Sequence, residues 1–366
     1  MSRGKYIVWL ATILAVLLTI ATTGCQHYGP RSITADRIPY NQAIAESWKE
    51  QTLLNIVKLR YMDTPFFVDV PQITSGYTLQ GGVSTTGGIF PPVNPVSTFA
   101  QQLGLTANLQ GGYQDRPTIS YQPQTGSQFI RNLTTPINPG SVLYLLQSGY
   151  PADLVFKLTV DSINGVRNRS VAGGVLRPAD PEFVQIVQAI HKGQQTGHVA
   201  IRVERVKDKA DSVAFFFQDQ DIDPVLRAEL AEVRKILKLD PSAKSFPVVF
   251  GASSTKSSEI AILSRSVVRI LSELATFVEV PEEHLANGIA PYLGDPGSDQ
   301  RPILRVFSCP KKPDNPFISI CYEGHWFWID KSDSQSKRTI SYVLVLLALS
   351  DTGSKESLPV ITIQAN

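Results

Sequence analysis

Apolar residues recur at three- and four-residue intervals over about 40–62. Ala45, Trp48, Thr52, Ile56 and Leu59 form one stripe and Leu53, Val57 and Tyr61 the next. That spacing predicts an amphipathic helix with a wide buried face, ended by Pro65. The period then changes. Over 66–122 the chain alternates, with Ile73, Tyr77 and Leu79 in one phase and Leu103, Leu105, Ala107 and Leu109 at strict period two. Glycine pairs at 81–82 and 87–88 and the proline pair at 91–92 interrupt it. This predicts a long β-hairpin with a flexible tip.

From 126 onward, helical and strand periods alternate. Short helices are expected over 127–133 and after Pro139, followed by a strand over 154–160. Asp180-Pro181 and Asp223-Pro224 each predict a capped helix start. Phe183, Ile186, Val187 and Ile190 line the first helix, which Gly193 should stop, and Leu226, Leu230, Val233 and Leu237 line the second. Strands are expected over 198–206, 212–217 and 246–250. The order is βαββαβ, the split βαβ or ferredoxin-like pattern. A long helix over 260–278 follows from Ile260, Leu263, Val267, Leu271, Leu274 and Val278. Strands over 303–309 and 317–329, a helix over 334–349 and a last strand over 359–363 close the chain. The expected fold is α+β: an N-terminal helix with a long hairpin (37–125), a central α/β domain (126–253), and a C-terminal ββαβ segment (254–366). Residues 25–36, polar and without periodicity, look like a tether.

Composition sharpens the picture at the N-terminus. The uncharged stretch 7–20 follows Arg3 and Lys5 and precedes Thr22, Thr23, Gly24 and Cys25. As a helix that stretch would reach about 21 Å, short of a hydrocarbon core of about 30 Å, so a secretory signal fits better than a permanent span. The order of basic start, apolar middle, small residues and Cys25 resembles a bacterial lipoprotein precursor. The resemblance covers 1–25 and implies cleavage of 1–24 and lipid on Cys25. Gln26, rather than Asp, resembles cargo passed to a Gram-negative outer membrane, facing the periplasm. An ordinary signal peptide followed by an incidental cysteine is the other reading. Residues 40–44 and 117–121 look similar to envelope lipoproteins of unassigned function, which implies no activity.

Cleavage would remove Arg3 and Lys5 and no acid, so the formal charge of +2 falls to zero. A neutral chain without a basic cluster argues against nucleic acid as a partner. With 43% hydrophobic residues the chain can bury a core. An oxidising compartment would permit a disulfide between Cys309 and Cys321; two buried free thiols are the equal alternative. A plain hairpin would put Cys309 opposite Phe317, so the bond needs a bulge or shift.

The chemistry sought is mostly absent. The sequence carries no zincin, nucleophile-elbow or Walker signature. Ser253–Lys256 and Ser334–Lys337 have Ser-x-x-Lys spacing without its companion motifs, and read as solvated segments. Among five histidines, His27 falls in the tether, His191 suits a helix C-terminus, and Glu282-Glu283-His284 reads as a solvated helix end. No catalytic residue, metal or cofactor is assigned. Tyr322, Trp326 and Trp328, with His325 nearby, form a candidate binding face; a core-facing aromatic strand is the common alternative. The expected function is a non-catalytic scaffold in a cell-envelope complex. Its expected partners are the membrane, envelope proteins and, as a homo-oligomer, copies of itself. Two alternatives stand beside it. One is a subunit of an oligomeric outer-membrane pore contributing the 66–122 hairpin, similar in outline to curli-type secretion lipoproteins. The other is a cell-wall polymer enzyme with a dispersed carboxylate pair.

Overall fold

The structure is a computed structural model, and it describes residues 28–74, 77–86, 106–172, 174–204, 212–293 and 302–350. The chain divides into two compact units, residues 66–124 and the remainder. The architecture is mixed α+β.

The larger unit opens with helix α1 (Tyr28–Arg60). It covers most of the expected tether, so from Tyr28 onward that segment is helical rather than flexible. Pro39 sits inside it, where the backbone N–H of an ordinary residue would bond one turn back. Its two halves differ. Over 36–50 no residue is buried, and Ile38 and Trp48 are exposed at 58% and 44%. From Thr52 to Arg60 the helix enters the core, with Leu53, Ile56, Val57 and Asn55 at 0% exposure. The guanidinium of Arg60 donates to the carbonyl of Pro291 at 2.7 Å.

After three short helices, α2 (Gly126–Thr134), α3 (Pro139–Gln147) and α4 (Ala152–Thr159), the chain builds the main sheet. Its strands in chain order are β5 (Val160–Ile163), β6 (Val166–Arg167), β9 (Val199–Glu204), β10 (Ser212–Phe217), β11 (Ser245–Phe250) and β12 (Ile260–Ser264). In space they run β6-β5-β12-β11-β10-β9. Only β11 and β12 are parallel; the other neighbours are antiparallel. Helices α5 (Pro181–Thr196) and α6 (Pro224–Ile236) pack on each other. Beneath them lies a phenylalanine core: Phe156 stacks on Phe215 at 6.2 Å, and Phe217 meets Phe246 edge-on at 5.7 Å. The small ribbon β7 (Ser170–Ala172) and β8 (Val175–Arg177) sits between β6 and α5 in the chain.

Several expectations give way here. The strand expected over 154–160 is mostly α4, because Leu154, Val155, Phe156 and Leu158 are all buried among helices and carry no period that separates the two forms. The helix expected from 260 begins as β12 and becomes α7 (Val267–Ala275) only after Arg265-Ser266. Ile260, Ala261 and Ile262 are fully buried between two neighbouring strands, where an apolar run serves as well as a stripe. That extra strand changes the topology. A ferredoxin-like sheet would place β5 beside β10; instead β11 pairs with β10, and β12 stands between β11 and β5. The 253/254 boundary therefore cuts through one sheet. Asp223 caps α6 as expected, accepting from Val225 and Leu226 N–H at 2.7 and 3.3 Å. Asp180 does not cap α5; it accepts from Arg167 N–H at 2.7 Å instead. Helix α5 passes Gly193, where a Cβ would collide with Val199, and ends at left-handed Gly197.

The C-terminal part holds α8 (Glu282–Ala286), a three-stranded sheet and α9 (Ser334–Ser350). The sheet order is β13-β15-β14, from β13 (Phe307–Cys309), β14 (Ile318–Tyr322) and β15 (His325–Ile329). The expected single strand over 317–329 is a hairpin turning at Glu323-Gly324, both at positive φ (47° and 76°). The last expected strand, over 359–363, lies outside the described residues.

In the smaller unit, β1 (Phe67–Thr74) pairs with β4 (Thr118–Gln124), and β2 (Tyr77–Thr86) with β3 (Thr106–Asp115), both antiparallel. The register of the second pair sets Leu79 opposite Tyr113, and Val83 opposite Leu109. In the other phase Ser84 faces Asn108 and Thr86 faces Thr106. Apolar and polar positions are thus segregated by phase. Leu103 and Leu105 lie outside the described residues.

Candidate functional site

The end of α1, helix α8 and the β14–β15 hairpin meet in a cluster of titratable and aromatic side chains. Tyr61 is its centre, 8% exposed. Its hydroxyl lies 2.7 Å from His284 Nδ1, and its ring meets those of His284, Tyr322 and Phe327 edge-on at 5.7, 5.2 and 5.9 Å. His284 is 5% exposed, so the expected solvated helix end is a buried histidine. It is buried because α8 is a single turn that points this residue back at the base of α1. The ring of His325, from β15, stands edge-on to His284 at 4.8 Å. Its Nε2 lies 3.2 Å from Glu283 Oε1, and its Nδ1 is buried with no hydrogen-bond partner.

Electrostatics hold this cluster in one protonation pattern on its tyrosine side. Burial, partly offset by neighbouring Arg60, pushes the Tyr61 phenol up to about 12. Burial and then the bond to Asp63 push Tyr322 up to about 12. Tyr322 donates to Asp63 Oδ2 at 3.1 Å. The Thr64 backbone N–H, followed by Tyr322 and Lys58, holds the Asp63 carboxyl below its ordinary range. Both tyrosines therefore stay protonated at neutral pH and serve as hydrogen-bonding groups.

The expected binding face is divided by the hairpin. Tyr322 is paired with His325 and shares the inner phase with buried Phe327. Trp326 and Trp328 occupy the opposite phase, half-buried, with Phe307 5.1 Å from Trp328 and Lys312 5.2 Å over Trp326. The two cysteines also sit in that outer phase. Cys309 and Cys321 both face Trp326, one from each side of β15, and both are free thiols. Two strand spacings of about 4.8 Å separate their backbones, beyond the 7 Å or so that a disulfide spans. Of the two readings open for these cysteines, the strand order excludes the disulfide, and the free thiols are half-buried Cys309 and exposed Cys321.

Elsewhere the charges hold structure. Among the described residues, Arg265 is the largest fully buried side chain. Its guanidinium donates to the carbonyls of Lys157, Leu158 and Arg169, and its Nε lies 3.7 Å from Asp161. Asp161 also pairs with Arg269 at 3.0 Å. Buried Glu273 accepts from Val171 N–H at 2.6 Å. Desolvation lowers the Arg265 pKa, and Glu273 and Asp161 oppose that shift. This network ties the β12–α7 corner to α4, β5 and β7. The Ser-x-x-Lys lysines have other partners: Lys256 pairs with Glu259 at 3.5 Å, and Lys337 donates to the carbonyl of Lys331 at 3.2 Å. A cavity of 290 Å³ near α3, α5 and β9 is lined by Leu146, Ile190, Gln194, Val199 and Phe215 and has no carboxylate in its wall.

Glu283, His284 and His325 each offer a donor atom, all within 4.8 Å of one another. No local spacing in the sequence could reveal this, because His325 enters from another element. The adjacent Glu283-His284 pair was the sole hint. No protein-family model matches the chain, and neither does any curated protein or solved structure.

Proposed function

We propose that the protein is a lipid-anchored component of the cell envelope, held to the outer membrane through Cys25 and facing the periplasm, where it acts as a non-catalytic scaffold. The observation that carries this reading is the asymmetry of α1. The helix begins three residues after Cys25, stays free of burial over 36–50, and only then enters the core. From Tyr28 to Glu50 it would reach about 35 Å at 1.5 Å per residue. Such a stalk holds a body away from an anchoring surface better than a flexible tether does. Acyl chains supply the membrane affinity, at about 0.8 kcal/mol per buried CH₂. Among the described residues no helix is long and apolar enough to cross a membrane.

Ile38, Ala45 and Trp48 continue the apolar stripe of α1 beyond the point where the body covers it, and Ile38 and Trp48 are exposed. An uncovered apolar stripe on a stalk suits packing against a helix of another envelope protein or of a second copy. Photocrosslinkers at positions 38 and 48, in intact envelopes, should capture a defined protein partner. A crosslinker at Lys256 on the body should not capture that same partner. Equal capture from all three positions would remove the stalk as the assembly surface.

The pore reading draws on the β2–β3 register. Ten consecutive pairs, from Tyr77↔Asp115 to Thr86↔Thr106, separate apolar from polar phase. Strands of about 9–11 residues suffice to cross a bilayer. Detergent-extracted material should then be oligomeric, with the ribbon protected from protease by membrane. A monomer with an accessible ribbon would end this reading.

A further inference from the structure

We propose that Glu283, His284 and His325 form a binding site for a divalent transition metal, zinc by preference, beneath the foot of α1. Three observations converge. The three side chains bring one donor atom each within 4.8 Å of the others, and they come from two separate elements, α8 and β15. Two imidazoles and one carboxylate is a set that zinc takes with three protein ligands and a water. His284 is also already oriented as metal-bound histidines are. Its Nδ1 lies 2.7 Å from the Tyr61 hydroxyl inside the protein; in the tautomer where Nδ1–H donates to that oxygen, Nε2 carries the free lone pair. A hydrogen bond to the far ring nitrogen is the usual device for fixing tautomer and ring plane.

The alternative is a purely structural hydrogen-bonded cluster, built on the His325 Nε2–Glu283 contact at 3.2 Å alone. Zinc–ligand bonds of about 2.0–2.2 Å in tetrahedral geometry place donors roughly 3.5 Å apart, so the site must contract by about 1 Å. Glu283 Oε1 and His325 Nε2 are already 3.2 Å apart, so the contraction needed is between His284 and that pair. A bound ion would clip α8 to the β14–β15 hairpin. Through Tyr61 it would also stiffen the junction where α1 enters the body. The ligands lie on the same side of β15 as Phe327, away from Cys309 and Cys321, so the site needs neither thiol.

The test uses the untagged full mature chain, stripped with chelator and titrated with Zn²⁺ alone by calorimetry. The expected result is one ion per chain, with a tetrahedral visible spectrum when Co²⁺ replaces it, and a rise in Tm on adding Zn²⁺. His325→Ala should abolish stoichiometric binding, and so should Glu283→Gln paired with His325→Gln. Tyr61→Phe should keep the stoichiometry and weaken affinity by about 10–100-fold, the scale of a lost outer hydrogen bond. Since His284→Ala empties a buried position, circular dichroism of each variant separates loss of the site from loss of the fold. Failure to bind Zn²⁺ stoichiometrically, or equal binding by folded His325→Ala, overturns the proposal.

Discussion

The two compact units spend their apolar residues in opposite ways. The larger one closes a core: Phe156, Phe215, Phe217 and Phe246 are all at most 2% exposed, and its buried charges are tied to the chain around Arg265. The smaller one is ribbon. Along β4 every residue from Thr118 to Pro123 is exposed, Tyr121 at 67%. Two-stranded ribbons bury too little to be stable by themselves. The register of β2 and β3 nevertheless sorts apolar from polar phase along ten pairs. The difference teaches where to look for stability and where for recognition. The body supplies the free energy, and the exposed half of α1 carries an apolar stripe, Ile38 and Trp48, that the body leaves uncovered.

Removing the Arg265 guanidinium should test the body hardest. In Arg265→Ala, Asp161 and Glu273 lose a buried cation, and three carbonyls lose their donor. A loss of about 3–5 kcal/mol in denaturant unfolding is expected, as for a broken buried pair. A cost below about 1 kcal/mol would mean that the corner is hydrated and the two units are less different than described.

Alkali should act next, and again on the body. The folded Tyr61 and Tyr322 phenols sit up at about 12, against an ordinary 10.0. Tyr342 is pushed in the same direction by burial. Folded values above unfolded ones give stability that is complete below pH 10 and falls as pH rises from 10 towards 12, because only the unfolded chain then releases those protons. Thermal melts at pH 9 and pH 11 should show the fall, and Tyr61→Phe should reduce its slope. A flat profile across that window would show that these phenols are hydrated.

Least affected should be the ribbon. Tyr121→Ser in β4 should change unfolding free energy by no more than about 0.5 kcal/mol, as at other exposed positions. A loss of several kcal/mol would show that the ribbon belongs to the cooperative unit and would dissolve the contrast.

Much of the body could be read from local signals. Asp223-Pro224 marked a true cap, the stripes of α5, α6 and the second half of α1 placed their buried faces, and β9, β10 and β11 fell where alternation put them. What failed depended on pairing. The run Ile260–Ser264 fits a helix stripe and a buried strand equally, and only its neighbours β11 and β5 decide between them. The choice between a disulfide and free thiols at Cys309 and Cys321 was open in the sequence, because only the sheet order shows β15 entering between the two strands. The Glu323-Gly324 turn was hidden by a glutamate in a left-handed conformation that such residues seldom adopt. The Tyr61–His284–His325 cluster assembles from three separated segments, which no spacing along the chain records.

The central claim is that a lipid-anchored Cys25 precedes a stalk that carries the body. Mass analysis of the native protein extracted from envelopes tests it most directly. The account predicts a chain beginning at Cys25 with acyl chains on it, and a Cys25→Ala variant that no longer fractionates with the outer membrane. A native molecule that keeps residues 1–24, or that begins with an unmodified thiol, would contradict it.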